Sequence, residues 1–122
     1  MIDHTGVNVE DFEASREFYA AALAPLRYEL LLEFHGVVAG FGEAGKPDFW
    51  IAQGEANTPR VHVAFRADTR REVEAFYEAA LGAGGQDNGA PGLRPQYHPD
   101  YYGAFVLDLD GHNVEAVCHM PA

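Results

Sequence analysis

The chain has 122 residues, of which 19 are acidic and 8 are basic, and its formal net charge at pH 7 is −11. This charge repels phosphate groups, so we expect neither nucleic acid nor an anionic membrane surface as a partner. The single cysteine, Cys118, excludes an internal disulfide and fits a reducing compartment. There is no apolar run long enough to cross a bilayer and no basic start of the kind a secretory signal has. The sequence therefore predicts a soluble, cytoplasmic protein.

The first half of the chain predicts a strand, a helix and three further strands. Residues 3–9 alternate between unlike side chains, which is the period of a strand with two different faces. Asp11 is a plausible N-cap for a helix that runs to about Leu23 and is stopped by Pro25. The three strands are predicted at residues 26–34, 37–41 and 48–53.

The second half predicts the same order of elements. Residues 60–67 alternate again, and a capping box at Thr69 to Glu72 opens a helix that ends near Leu81. The glycine-rich residues 82–92 predict irregular structure with a short strand near Gln86. A polar and aromatic loop at 93–100 and two strands at 101–108 and 113–119 complete the chain.

The two halves are related by an internal repeat with an offset of 58 residues. His4 then falls on His62, and Phe18-Tyr19 falls on Phe76-Tyr77. Such self-similarity indicates one structural unit used twice. We predict a single domain with module one at residues 1–53, a linker at 54–59 and module two at 60–122.

Two histidines and a glutamate form the candidate metal site. Within each module the first strand should pack its apolar face under the helix and point its histidine, His4 or His62, to the other side. Glu115 lies in the middle of the last strand, where a carboxylate needs a partner because burying it alone is costly. Two imidazoles and a carboxylate can hold a divalent ion and leave coordination positions open for catalysis. Each of the three side chains alone also fits an ordinary structural or surface role.

The loop before the penultimate strand supplies the candidate catalytic residues. His98 could act as an acid or base near neutral pH if this loop leans over the site, and otherwise it is a surface histidine. Tyr102 and Arg94 could orient an oxygen-bearing substrate. His35 and His112 are expected in exposed turns, and Cys118 in the core.

The sequence resembles the vicinal oxygen chelate superfamily, which includes glyoxalases, bleomycin-resistance proteins and extradiol dioxygenases. The resemblance rests on His4, Phe18-Tyr19, Val61-His62-Val63 and the closing residues 108–115, whose pattern Asp-x-Asp-Gly-x-x-x-Glu is the most specific part. It covers essentially the whole chain. It implies an α+β fold of two tandem βαβββ modules that form an incomplete barrel around a metal. It also implies a homodimer, with sites often shared between subunits, and His4, His62 and Glu115 as the metal ligands.

The chain departs from family glyoxalases at a fourth ligand, a glutamate on the last strand of module one. Matching residues 45–49 to residues 111–115 puts Phe49 at that place, which argues against strict glyoxalase activity. We therefore expect an enzyme that depends on Zn, Fe, Mn or Ni and binds a small substrate through neighbouring oxygens, as a dioxygenase or a glyoxalase-like lyase or isomerase. The alternatives are a fosfomycin-type thiol transferase, a non-catalytic drug-binding protein of the bleomycin-resistance type, and a purely structural dimer module.

Overall fold

The computed structural model describes residues 1–122, which form two α-helices, a short 3-10 helix at Ala24–Leu26 and eight strands. Module one contains strand β1, helix α1 and strands β2, β3 and β4. Module two contains strand β5, helix α2 and strands β6, β7 and β8. The bounds in chain order are β1 Thr5–Val9, α1 Phe12–Leu23, β2 Glu29–Phe34, β3 Val38–Glu43, β4 Lys46–Gln53, β5 His62–Arg66, α2 Arg70–Gly82, β6 Gln86–Leu93, β7 Tyr102–Leu107 and β8 Asn113–Cys118.

Both helices begin at the side-chain caps that the sequence predicts. Asp11 accepts a hydrogen bond from the backbone N–H of Ala14, and Thr69 accepts one from the backbone N–H of Glu72. The Glu72 carboxylate reaches back to the N–H of Asp68, one residue before the cap, instead of to the cap itself. These contacts satisfy N–H groups that have no partner inside a helix.

Each module folds into its own four-stranded sheet with the same topology. The strand orders are β1-β4-β3-β2 and β5-β8-β7-β6, and in each sheet the first strand pairs in parallel with the last. The remaining pairs are antiparallel. This is the predicted α+β fold of two tandem modules, and neither sheet closes into a barrel. The main difference from the prediction is β6, which is eight residues long although its sequence is rich in glycine.

The core lies between the sheets and the two helices, which contact each other. The alternation of β1 places Val7 and Val9 on this covered side. The opposite side of each sheet carries no helix, and we call it the open face. Neither helix is long and apolar enough to span a membrane.

His112 joins the two modules and is not the exposed turn residue that the sequence predicts. Its side chain is completely buried. Nδ1 accepts a hydrogen bond from the backbone N–H of Val61, and Nε2 lies 3.0 Å from the backbone oxygen of Asn8 in β1. Because Nδ1 accepts, the ring proton is on Nε2 and is donated to Asn8. The position of His112 after a tight turn suggested exposure, but the turn folds inward because Asp108 accepts hydrogen bonds from the N–H groups of His112 and Asp110.

Candidate functional site

Glu115 is a buried carboxylate on the open face of the second sheet. It lies in β8, opposite Ala64 of β5 and Phe105 of β7, and only 1% of its surface is exposed. Its strand neighbours Val114 and Ala116 point into the core. A charge held in this position requires hydrogen bonds or a counter-charge, because its hydration has been lost.

Two side chains supply these contacts, one to each carboxylate oxygen. Nε2 of His62 lies 2.9 Å from Oε1 of Glu115, and the phenol of Tyr101 donates a short hydrogen bond to Oε2. Burial, and then the neighbouring Glu115 carboxylate, raise the pKa of Tyr101 well above its ordinary value. The phenol therefore stays protonated and remains a donor at neutral pH.

The His62–Glu115 pair is open to solvent on one side. The side chain of His62 is about half exposed, with 53% of its area accessible. It lines a cleft of about 320 Å³ together with Tyr97, Tyr101, Phe105 and Glu115. Imidazole nitrogen and carboxylate oxygen are both ligands of divalent metals, with bonds of roughly 2.0–2.2 Å to zinc. Donor atoms 2.9 Å apart can touch one such ion together, so these two residues fit two of the predicted metal ligands.

The structure does not bring His4 to this pair within one chain. His4 precedes β1 and lines a separate cleft of about 480 Å³ on module one. No group of three or more histidine, cysteine, aspartate or glutamate side chains in this chain could hold a metal ion. The repeat correctly identifies His4 and His62 as equivalent residues. Because each of them lies in its own module, this equivalence does not place them close together.

Asp3 holds the ring of His4 in one orientation. Nδ1 of His4 lies 2.8 Å from Oδ1 of Asp3, and Nζ of Lys46 lies 3.6 Å from the other carboxylate oxygen. The hydrogen bond from His4, and then the charge of Lys46, lower the pKa of the Asp3 carboxyl. With the Nδ1 proton directed at Asp3, Nε2 of His4 has a free lone pair. Metal-binding histidines commonly have such a carboxylate behind the ring.

Trp50, and not Phe49, occupies the position in module one that corresponds to Glu115. Trp50 pairs with Gly6, and Glu115 pairs with Ala64, which is the residue equivalent to Gly6 in the repeat. Phe49 points into the core, where its ring packs 5.0 Å from that of Tyr19. The alignment that selected Phe49 was thus wrong by one residue. The conclusion that module one lacks the glutamate is unchanged.

Tyr102 lies on the covered face of β7, away from Glu115. Its hydroxyl donates to Glu74 of helix α2 at 2.6 Å, and Arg70 lies over its ring. The neighbouring residue Tyr101 reaches Glu115 instead. Sequence reasoning missed Tyr101, although the pair Tyr101-Tyr102 at the start of a strand signals that one of the two rings faces each side.

His98 is near the pair but does not contact it. Its Nε2 lies 2.8 Å from Nδ1 of His119, while its Nδ1 accepts a hydrogen bond from the backbone N–H of Asp100. The proton of His98 is therefore on Nε2 and is donated to His119. The Tyr101 ring lies between these histidines and Glu115, with centroids 5.5 Å from His98 and 5.4 Å from His119.

Arg94 borders the same region from the end of β6. Its guanidinium lies over the ring of Phe105 and donates to the backbone oxygens of Ala90 and Gly92. The structure places Cys118 in the core, as expected.

The paired βαβββ topology, with a histidine at or just before the start of each first strand and a glutamate on the last strand of module two, defines the class of protein. The sequence matches the glyoxalase/bleomycin resistance protein/dioxygenase superfamily over residues 1–116. The chain belongs to this superfamily. No curated protein matches the chain.

Solved structures of similar proteins agree with this membership. A glyoxalase/bleomycin resistance protein from Albidiferax ferrireducens is 26% identical, with a TM-score of 0.80 and 98% of each chain covered. A lactoylglutathione lyase from Agrobacterium tumefaciens is 19% identical, with a TM-score of 0.70, covering 97% of this chain and 92% of that one. The fosfomycin resistance protein FosX from Listeria monocytogenes, complexed with Mn(II) and a dihydroxypropylphosphonic acid, is 20% identical, with a TM-score of 0.71, covering 96% and 88%. At these identities the last two are similar to this chain in fold alone.

Proposed function

We propose that this protein is a divalent-metal-dependent enzyme that works as a homodimer. His62 and Glu115 of one subunit and His4 of the other would hold the metal. The observation that carries the proposal is the buried Glu115 carboxylate with His62 2.9 Å away at the mouth of a cleft. The proposal includes a dimer because, within one chain, His4 lies in a different cleft from His62 and Glu115.

Exposed apolar side chains on both modules support such a dimer. Leu32 and Phe34 of β2 and Tyr97 of the loop after β6 are each at least 40% exposed. A symmetric dimer in which module one of each subunit faces module two of the other would turn both open faces towards the interface and create two equivalent sites. Burial of this apolar surface would stabilise the assembly.

The metal would act as a Lewis acid toward two neighbouring oxygens of a small substrate. Residues of the chain itself orient the proposed metal ligands. Tyr101 holds the Glu115 carboxylate by its hydrogen bond, and Asp3 orients the ring of His4. His98 and His119 form a hydrogen-bonded pair on the other side of the Tyr101 ring from Glu115.

The set of three ligands favours chemistry that needs open coordination positions over a reaction that needs a second carboxylate. With Trp50 in place of the fourth acid, dioxygenase chemistry or a lyase or isomerase reaction with a different base fits better than the strict glyoxalase reaction. We also propose that the protein works in the cytoplasm, a reducing compartment that suits the free thiol of Cys118.

Metal content tests the proposal directly. Protein purified without added metal or a metal-binding tag should contain, or take up on titration, about one zinc, iron, manganese or nickel ion per chain, as one site per subunit requires. His62→Ala should abolish this uptake, because it removes one of two ligands that the fold already holds together. His35→Asn is the matched control, since His35 is exposed in a hairpin turn with a φ of 54° that asparagine tolerates.

The second candidate function is non-catalytic binding of a small molecule. The observation that favours it is that one chain lacks a group of three metal ligands. Failure of both the wild-type protein and His35→Asn to bind any of the four metals would contradict the enzyme proposal and leave the binding function.

A further inference from the structure

The cleft on module one has an aromatic floor, which is the ring of Trp50 with the ring of Phe34 beside it. Trp50 occupies the register position of Glu115, and its ring lies flat against Gly40, where an added Cβ would come within 2.8 Å of the ring. Phe34 lies beside it with its ring plane within 11° of that of Trp50 and centroids 6.4 Å apart. A glycine beneath the indole and a near-parallel second ring provide a flat apolar surface at the centre of the open face.

The rim of this cleft carries the one lysine of a strongly acidic chain. The chain has a net charge of −11, and Lys46 lines the cleft together with His4, Thr5 and Trp50. Its ammonium is exposed, donates to the backbone oxygens of Asp3 and Pro47 at 3.2 and 3.4 Å, and lies 3.6 Å from the Asp3 carboxylate. A cation in this place can pair with an anionic group that enters the cleft.

We propose that the substrate is a planar aromatic acid, whose ring stacks on Trp50 and whose anionic oxygen lies between Lys46 and His4. The inference rests on the proposed function for the location of the site and adds the substrate class. The cleft volume of about 480 Å³ is in the usual range for small-molecule sites and exceeds what a single ring needs. A flat ring gains contact with the indole that a puckered ring cannot match.

Three small probes separate the ring from the charge. Benzoate has both, cyclohexanecarboxylate has the charge without the planar ring, and benzamide has the ring without the charge. Binding is measured by calorimetry on metal-free protein and by the fluorescence of Trp50, which is the only tryptophan and therefore reports from this cleft alone. Because no metal is present, the result can be interpreted whether or not the metal proposal holds.

Benzoate should bind roughly fivefold more tightly than cyclohexanecarboxylate, and about threefold more tightly than benzamide. Trp50→Leu should remove the first preference, and Trp50→Phe should keep most of it. Lys46→Met should remove the second preference, and Lys46→Arg should keep it. Circular dichroism of each variant verifies that the fold is intact.

Equal affinity for benzoate and cyclohexanecarboxylate would overturn the proposal, as would unchanged benzoate binding in Trp50→Leu. A third result would also overturn it: no benzoate binding together with Trp50 fluorescence that acrylamide cannot quench. In that case a second copy of the chain, and not a small molecule, covers the aromatic floor.

Discussion

At the scale of single residues, the candidate site depends on which of two adjacent side chains faces the open side of a sheet. Tyr101 donates to Glu115, whereas Tyr102 donates to Glu74 on the helix side. Trp50 lies on the open face, whereas Phe49 is in the core. In both cases the sequence indicated the right pair and the wrong member. A strand reverses its faces at each residue, so a slip of one position moves a side chain to the other side.

Tyr101→Phe should weaken metal binding roughly 10-fold to 100-fold without loss of the fold. The substitution removes only the hydroxyl that holds one oxygen of Glu115, so the carboxylate can rotate away from the orientation that a metal needs. Metal titration by calorimetry measures the effect. Tyr97→Phe is the matched control, because Tyr97 lies 4.9 Å from Tyr101 between ring centroids and is largely exposed. Equal affinities in the two variants would show that the hydroxyl does not position Glu115.

At the scale of the structural elements, much of the fold could be predicted from the sequence because the same pattern occurs twice. Period-two alternation, two helix caps and the offset of 58 residues were sufficient to give the order of strands and helices in both modules. The register of β4 could not be predicted in the same way. The turn before β4 is a short hairpin at Ala44 and Gly45, whereas the turn before β8 is longer and folds around Asp108, so matching the turns displaced the strands by one residue.

The turn around Asp108 also places His112 in a structural role between the two modules. His112→Ala should lower the free energy of unfolding by about 2–4 kcal/mol, since it empties a fully buried site and leaves two partly buried backbone groups, the N–H of Val61 and the oxygen of Asn8, without this partner. Urea unfolding followed by circular dichroism measures the change. The exposed histidine variant His35→Asn should differ from wild type by about 0.5 kcal/mol or less. A His112→Ala variant as stable as that control would contradict the assigned role.

At the scale of the whole molecule, several buried or half-buried tyrosines link stability to alkaline pH. Burial, and then the carboxylate of Asp108, raise the pKa of Tyr19, and burial with Asp48 raises that of Tyr28. The folded chain therefore keeps these phenol protons at pH values where the unfolded chain, with a pKa of about 10, loses them. Their contribution to stability is complete below that pH and declines as the pH rises above it. Urea unfolding at about pH 8 and about pH 11 should show the loss, and Tyr28→Phe should reduce it.

At this scale, the sequence repeat could not predict whether the metal site is shared between subunits. A repeat shows which residues are equivalent, but it does not show which of them come into contact. Mixing two variants, each of which lacks one of the proposed metal-binding histidines, tests whether the site is shared. In a His4→Ala chain the pair His62–Glu115 is intact, and in a His62→Ala chain His4 is intact. If the site is shared, a dimer of one chain of each kind contains one complete site and one site that lacks both histidines.

Each variant alone should therefore bind no metal tightly, whereas an equimolar mixture that has exchanged subunits should recover about a quarter of the wild-type sites. The recovery should depend on exchange and should disappear when the two variants are mixed without unfolding and refolding together. A mixture that recovers nothing, although mass spectrometry shows mixed dimers, would mean that His4 of one subunit does not complete the His62–Glu115 pair of the other. In that case the ligands on the two open faces would not form one metal site shared between subunits.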